Sequence, residues 1–108
     1  ISGDLAIPRK ATTIGNCAFY NCTGITGGLT LPEGLASIGS SAFSNCTGLS
    51  GKLELPSTLT TIGNSAFYGC KSFIGDLVIP DSVETIMMHA FYKSGFTGRL
   101  ILNENVFL

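Results

Sequence analysis

The sequence predicts a repeat solenoid, in which the chain winds into successive coils of similar structure. Three observations predict this fold class: the same residue types recur every 24 residues, each repeat joins a strand-like segment to apolar residues at helical spacing, and the composition is biased. The chain has 14 Gly and no Trp, and only 12% of its residues are charged. We treat residues 1–108 as a single domain, since this length suits one folding unit.

The 24-residue period is visible in four separate columns. The pattern Gly-x-Leu-x-(Ile or Leu)-Pro places its leucine at Leu5, Leu29, Leu53 and Leu77. The pair Ile-Gly begins at Ile14, Ile38 and Ile62, and the pair Ala-Phe ends at Phe19, Phe43, Phe67 and Phe91. Cysteine recurs at Cys22, Cys46 and Cys70. Four columns in one register predict about four full repeats.

A fifth repeat begins at Gly98 and stops with the sequence, before another Ile-Gly pair. The step from Leu77 to Leu100 is 23, because one residue is lost between Ser94 and Phe96. The fourth repeat also carries Met87, His89 and Ser94 in place of Gly, Ser and Cys. We expect the chain to be a fragment of a longer array.

Within a repeat, two periodicities follow one another. Leu29-Thr30-Leu31 alternates with period two and ends at Pro32, which lacks an amide hydrogen, so a short strand is expected there. The apolar residues from Leu35 to Cys46 fall at offsets that favour helical turns, with a bend at Gly39. Ser40 or Ser41 is a candidate cap for a short helical turn. Stacking would bury the leucines in a parallel sheet of about five strands, with the phenylalanine column behind it.

These residues resemble the BspA-like, or treponemal-type, leucine-rich repeat family, whose units combine Leu-x-(Ile/Leu)-Pro, Ile-Gly, Ala-Phe and Cys. The resemblance covers nearly the whole chain and implies a right-handed leucine-rich-repeat superhelix with its Leu-x-Leu strands on the concave side. It also implies a secreted or cell-surface protein of a microbe, which binds host matrix proteins, host cells or neighbouring microbes.

Composition argues against several other classes of function. Six basic and seven acidic residues are spread along the chain, so no basic surface for nucleic acid is expected. The longest apolar runs have about three residues where a membrane helix needs about 20, so no membrane insertion is expected. The sequence begins at Ile1 without a leader pattern, from which we expect a removed leader or an excised piece.

No catalytic, cofactor-binding or metal site is expected. Cys22, Cys46 and Cys70 follow the repeat and lack the close Cys-x-x-Cys spacing of zinc sites, which favours buried free thiols, whereas Cys17 is the outlier. His89 is the only histidine and shares its column with small polar residues, so a surface position is favoured over a catalytic one. Asp81 and Glu84 occupy variable columns and indicate solvated surface.

Two further features have both a structural and a functional interpretation. The sequons at Asn21 and Asn45 accept glycan only in a pathway that glycosylates asparagine, and otherwise they are repeat consensus. The tyrosines Tyr20, Tyr68 and Tyr92 share a column, which Ser44 interrupts, beside the phenylalanines. Tyrosine suits a binding surface, but here we expect it to cover the edge of the core.

The outward positions of the strands are the candidate protein-binding face, because their residue types vary while the inward columns stay constant. The candidate residues are Thr30, Lys52, Glu54, Asp76, Val78, Arg99 and Ile101. Unconstrained solvent positions would vary in the same way, so this alternative stays open. The charges of Lys52, Asp76 and Arg99 alternate down one column.

The sequence therefore predicts a non-enzymatic protein-binding or adhesion scaffold, with a carbohydrate-binding module or a structural spacer of a larger surface protein as the alternative. An exposed aromatic platform would favour carbohydrate, and the strand face has none. Uncovered apolar ends at Ile1 and at residues 106–108 predict end-to-end self-association of the fragment.

Overall fold

A computed structural model describes residues 4–101, and the strands within this range are short and parallel. Each strand has two residues, and no helix occurs in this part of the chain. The strands are β1 (Leu5–Ala6), β2 (Thr13–Ile14), β3 (Leu29–Thr30), β4 (Ser37–Ile38), β5 (Thr61–Ile62), β6 (Leu77–Val78), β7 (Thr85–Ile86) and β8 (Leu100–Ile101). Corresponding strands of successive coils pair in parallel, which confirms the predicted repeat solenoid.

The Leu-x-Leu segments form two separate strand pairs and not the single five-stranded sheet that the sequence predicts. Strand β1 pairs with β3 through Leu5 and Leu29, and β6 pairs with β8 through Leu77 and Leu100. Residues 52–55, the corresponding segment of the third coil, join neither pair. The coils remain stacked there because bonds on either side of the segment hold them, such as Ser50 N to Gly27 O at 3.0 Å and Thr60 N to Ala36 O at 2.8 Å.

The most extended sheet lies where the sequence pattern predicts a bend and helical turns. Strands β2, β4, β5 and β7 form a four-stranded parallel sheet in which Ile14, Ile38, Ile62 and Ile86 are in register. Isoleucine and threonine are β-branched and favour strands. In β2 the threonine is exposed and the isoleucine is buried, as expected for a strand with one buried face.

The segment predicted to be a short helical turn is instead a chain of overlapping tight turns. Cys17, Ser41, Ser65 and His89 each have φ between 55° and 59°, a left-handed conformation that an α-helix excludes. Alternate amides here bond to the next coil, as Phe19 N does to Ala42 O at 2.8 Å, and the amides between them close i to i+3 turns. Hydrogen bonding between coils thus replaces the bonds of a helix.

The phenylalanine column forms the centre of the core, as predicted. Phe43 is fully buried and stacks between Phe19 at 5.3 Å and Phe67 at 5.2 Å between ring centroids, with the rings within 8° of parallel. Phe91 continues the stack at 5.3 Å from Phe67. Phe73 and Phe96 stack on each other at 5.5 Å and meet this column edge to face. The core is therefore a continuous aromatic ladder across the coils.

Candidate protein-binding face

The outward positions of the Leu-x-Leu segments lie on one surface, which we call the Leu-x-Leu face. It comprises the outward side chains of these segments, namely Thr30, Lys52, Glu54, Asp76, Val78, Arg99 and Ile101. Alternation along a strand directs Leu29, Leu53 and Leu77 into the core, where 4–6% of each is exposed. Val78, next to Leu77, is 48% exposed. Whether these residues bind a partner stays a prediction, but all except the half-buried Asp76 are exposed to solvent.

Asp76 differs from the other charged residues of the face, because it has a structural partner. Its Oδ1 accepts a hydrogen bond from the backbone amide of Arg99 at 2.7 Å, and its Oδ2 lies 3.6 Å from the Arg99 guanidinium. Asp4 accepts the equivalent bond from the Gly28 amide at 2.9 Å. The bond from the Arg99 amide holds the pKa of Asp76 below its ordinary value, and the positive charges of Arg99 and Lys52 lower it further. Asp76 and Arg99 therefore neutralise each other.

Lys52 and Glu54 provide the free charge of the face. Neither side chain forms an ion pair or a side-chain hydrogen bond with another described residue. The Lys52 side chain passes over Gly75, where a Cβ would lie 3.5 Å from its methylene carbons. Among Lys52, Asp76 and Arg99, whose charges alternate as predicted, Asp76 and Arg99 thus form an ion pair, while Lys52 and Glu54 lie two residues apart on the third coil without an ion-pair partner among the described residues.

A groove of about 610 Å³ opens on this face between the third and fourth coils. Its walls carry Lys52, Glu54 and Asp76, and its floor includes Leu53, Leu55, Val78 and Pro80. This volume is within the roughly 300–1,000 Å³ typical of ligand pockets. No motif in the repeat pattern predicts this groove.

The fifth coil exposes more apolar surface than the column pattern predicts. Leu100 belongs to the inward leucine column, yet it is 58% exposed, and Ile101 beside it is also exposed. No later coil covers them within the described residues. Ile1 and residues 106–108, on which the expectation of end-to-end association rests, lie outside the described part of the chain.

The tyrosines lie in the turn segments that follow the strands of the four-stranded sheet. Tyr20 and Tyr92 are about half exposed, and Tyr68 lies 5.6 Å from Tyr92 between ring centroids. His89 is exposed at the surface, as expected, and its ring lies 5.1 Å from that of Tyr92. The tyrosines cover the edge of the core only in part, because half of Tyr20 and of Tyr92 faces solvent. The tyrosines therefore expose more aromatic surface than the sequence predicts.

The cysteine column is built into the core through hydrogen bonds between coils. Cys46 Sγ donates to the Phe19 carbonyl at 3.0 Å, and Cys70 Sγ donates to the Phe43 carbonyl at 3.1 Å. Ser94 takes the same position in the fourth coil, where its hydroxyl donates to the Phe67 carbonyl at 2.9 Å. Burial raises the pKa of Cys46 to about 11 and that of Cys70 to about 12. The expected burial is confirmed for these two thiols, whereas Cys22 is half-buried and Cys17 is exposed.

The described residues contain no cluster of three or more His, Cys, Asp or Glu side chains that would hold a metal ion. His89, Asp81 and Glu84 are each exposed. Between residues 4 and 101 no helix has the length and apolar character needed to cross a bilayer.

Parallel strands at a 24-residue period, with leucine, isoleucine and phenylalanine columns directed inward, define a leucine-rich-repeat solenoid. The sequence profile of the BspA type leucine-rich repeat region, in six copies, matches residues 3–107. The chain belongs to the BspA-type leucine-rich repeat family.

The crystal structure of the Treponema pallidum leucine-rich repeat protein has a similar fold. Its TM-score is 0.69 over 89% of this chain at 25% sequence identity, and this chain spans 57% of that protein's length. A search among curated proteins finds no match. Members of such a family are suited to protein interaction, because the stacked coils present an extended surface.

Proposed function

We propose that this chain is a protein-binding and adhesion scaffold of a secreted or cell-surface microbial protein, and that its ligand contacts the Leu-x-Leu face. One observation carries the proposal: the inward columns keep the same residue types from coil to coil, while Thr30, Glu54 and Val78 share one outward column and differ in charge and polarity. A fixed scaffold with a variable outer surface is how solenoids acquire a specific partner. The family supports an interaction role.

The contact area sets the expected affinity. Five stacked Leu-x-Leu segments at a spacing of about 4.8 Å span roughly 20 Å, which offers a partner several hundred Å² at most. Specific complexes bury roughly 800 Å² per partner. We therefore expect these residues alone to bind weakly, and a longer array to bind more tightly because more coils take part.

The test is a binding measurement with two matched variants. The face variant carries Lys52→Ala and Glu54→Ala, which remove both unpaired charges without breaking a described hydrogen bond. The control variant carries Lys71→Ala and Glu84→Ala, which remove one exposed charge of each sign elsewhere. A panel of purified host matrix proteins is the probe, measured by surface plasmon resonance at several protein concentrations, with light scattering to detect self-association.

We expect a panel member to bind the wild type and the control variant, and to bind the face variant at least tenfold more weakly. Equal binding to both variants, with folding intact by circular dichroism, would assign binding to another surface. Asp76 and Arg99 are left unchanged, because substitution of Asp76 would break the bond to the Arg99 amide and confuse stability with binding.

The second candidate function is carbohydrate binding by the tyrosine side of the coils. The exposed Tyr92 and His89 and the half-buried Tyr68 form an aromatic group, which is the kind of platform on which sugar rings stack. Saturation-transfer NMR with a panel of oligosaccharides tests it. Transfer from the protein to a sugar that disappears in Tyr92→Ala supports this function, and the absence of transfer to any sugar contradicts it. A purely structural spacer would bind neither panel.

A further inference from the structure

The third coil leaves the backbone of its Leu-x-Leu segment unpaired. In the first coil the amides of Leu5 and Ile7 donate to carbonyls of the second coil at 2.9 and 3.0 Å. In the fourth coil the amides of Leu77 and Ile79 donate to the fifth coil at 2.9 and 2.8 Å. No such bond joins residues 52–55 to a neighbouring coil within the described part of the chain. Unpaired strand edges of this kind are templates for pairing with another chain.

The phase of the repeat shows where these groups point. In both paired coils the amide of the inward leucine bonds toward the next coil, so the equivalent amides of Leu53 and Leu55 are directed toward the fourth coil. The amide of Val78 is directed back toward the third coil, because its neighbours Leu77 and Ile79 already donate to the fifth. The groove between these two coils therefore has free backbone groups along both walls.

The side chains of the groove are arranged to suit an extended peptide. Leu55 and Val78 supply apolar surface, whereas Leu53 is buried with 4% exposed. Lys52 and Glu54 stand two residues apart on the same outward side, each without an ion-pair partner among the described residues. In an extended peptide, residues two apart also share one side. An acidic and a basic residue at such spacing would therefore meet both charges at once.

We propose that this groove binds an extended polypeptide segment by strand addition, with an apolar residue directed into the groove between one acidic and one basic residue. Main-chain hydrogen bonds provide affinity in such recognition, and the alternating side chains provide specificity. This inference rests on the proposed protein-binding function and names the form of ligand that the Leu-x-Leu face takes. A folded partner would present the segment as an exposed strand or a flexible tail.

Amide exchange tests whether the groove is open before any ligand is added. We expect the amides of Leu53, Leu55 and Val78 to exchange with deuterium at least tenfold faster than those of Leu77 and Ile79, followed residue by residue by NMR. Equal protection of the two groups would show that the coils are paired there in solution, and it would overturn the proposal.

Binding is tested with the blocked pentapeptide acetyl-Val-Asp-Val-Arg-Val-amide, titrated into the ¹⁵N-labelled protein. Addition should protect the three groove amides and shift their resonances. The same peptide with an N-methylated central valine lacks one backbone donor and should bind at least tenfold more weakly. Shifts that scatter over the surface, or equal affinity of the two peptides, would count against strand addition.

Two substitutions of Val78 distinguish the contribution of its backbone amide to peptide binding from that of its side chain. Val78→Pro removes the groove-facing amide but keeps the Leu77 and Ile79 amides that pair with the fifth coil, and Leu77 already has the extended conformation that proline requires before it. Val78→Ala keeps the amide and shortens the side chain. We expect the proline variant to lose peptide binding at least tenfold and the alanine variant to remain within about threefold. Equal loss in both variants would overturn the proposal.

The same variants distinguish this inference from the proposed function. A matrix protein that binds Val78→Pro normally but fails to bind the Lys52→Ala, Glu54→Ala variant would contradict strand addition in the groove and support binding to the Leu-x-Leu face. A matrix protein that binds every variant equally would contradict both binding to the Leu-x-Leu face and strand addition in the groove.

Discussion

Each coil places a buried polar atom where a carbonyl of the preceding coil needs a donor. The thiols of Cys46 and Cys70 donate to phenylalanine carbonyls, and Ser94 does the same with a hydroxyl at 2.9 Å. The recurring requirement at this position is thus a small side chain with a hydrogen to donate. The cysteine column therefore has a structural explanation that needs no metal or redox chemistry.

Thiol labelling follows from the depth of the cysteines and from their pKa values. The thiolate is the reactive form, and with pKa values of about 11 and 12 Cys46 and Cys70 are almost wholly protonated at pH 8. We expect a thiol reagent at pH 8 to label the exposed Cys17 first and the half-buried Cys22 more slowly, with Cys46 and Cys70 labelled only after denaturation. Fast native labelling of Cys70 would contradict its buried position.

Glycine recurs before each turn because neighbouring coils pass close to it. A Cβ on Gly63 would lie 2.7 Å from both the carbonyl carbon of Gly39 and the amide nitrogen of Ser40, whereas a Cβ on Gly15 would meet nothing within 4 Å. Met87 occupies the same column in the fourth coil, where its amide donates to the Ile62 carbonyl at 2.9 Å. Gly63 has coils on both sides.

We expect Gly63→Ala to lower the free energy of unfolding by about 1–3 kcal/mol, because backbone atoms must move to admit the methyl group. Gly15→Ala is the matched control, and it should stay within about 1 kcal/mol of the wild type or stabilise slightly. Urea denaturation of both variants gives the comparison. Equal effects would show that close approach of the coils is not the reason for glycine in this column.

At the scale of the elements, the aromatic ladder joins the coils. Phe43 has a ring on each side at about 5 Å, while Phe19 has one such neighbour and is half-buried. We expect Phe43→Ala to cost about 3–5 kcal/mol, because it removes a fully buried ring and opens a cavity. Phe19→Ala should cost clearly less. An unchanged melting temperature for Phe43→Ala would contradict the stacked core.

The sequence predicts the columns of the core better than it predicts the form of the chain between them. The leucine and phenylalanine columns repeat without exception through the full repeats, so their burial follows from the period alone. The Ile38 strand was missed because the spacing of Leu35, Ile38 and Ala42 also fits a helix. The left-handed residues Ser41 and Asn45 are not glycine, so no residue type marks the turns that replace that helix.

The sequence predicts which residues form the Leu-x-Leu face, but it does not predict the hydrogen bonds and the groove on that face. Alternation along Leu29-Thr30-Leu31 is sufficient to assign the outward positions. The bond from the Arg99 amide to Asp76 joins residues 23 apart, and only the geometry of neighbouring coils reveals it. An Asp at the same place in the first coil, Asp4, was the available signal. The groove was not predicted, because its lining residues Lys52, Glu54 and Val78 keep the same register as the equivalent positions of the other coils.

At the scale of the whole molecule, the coils act as equivalent units. The three interfaces among the first four coils repeat the same contacts: a strand pair at the isoleucine, alternate amides at the turn and a stacked phenylalanine. Stability in such arrays is close to a sum of terms for each repeat and each interface. The Leu-x-Leu face therefore varies on a frame that is stabilised mainly by the inward columns and by hydrogen bonds between coils.

Duplication of one coil tests whether the coils are equivalent units. A second copy of residues 40–63 inserted directly after Gly63 preserves the register of every column and adds one complete coil with its interface. In urea denaturation we expect a higher free energy of unfolding and a slope that is larger by about a fifth, in proportion to the added buried surface. A lower unfolding midpoint, or loss of the folded state, would show that the coils are not interchangeable and would contradict the solenoid account.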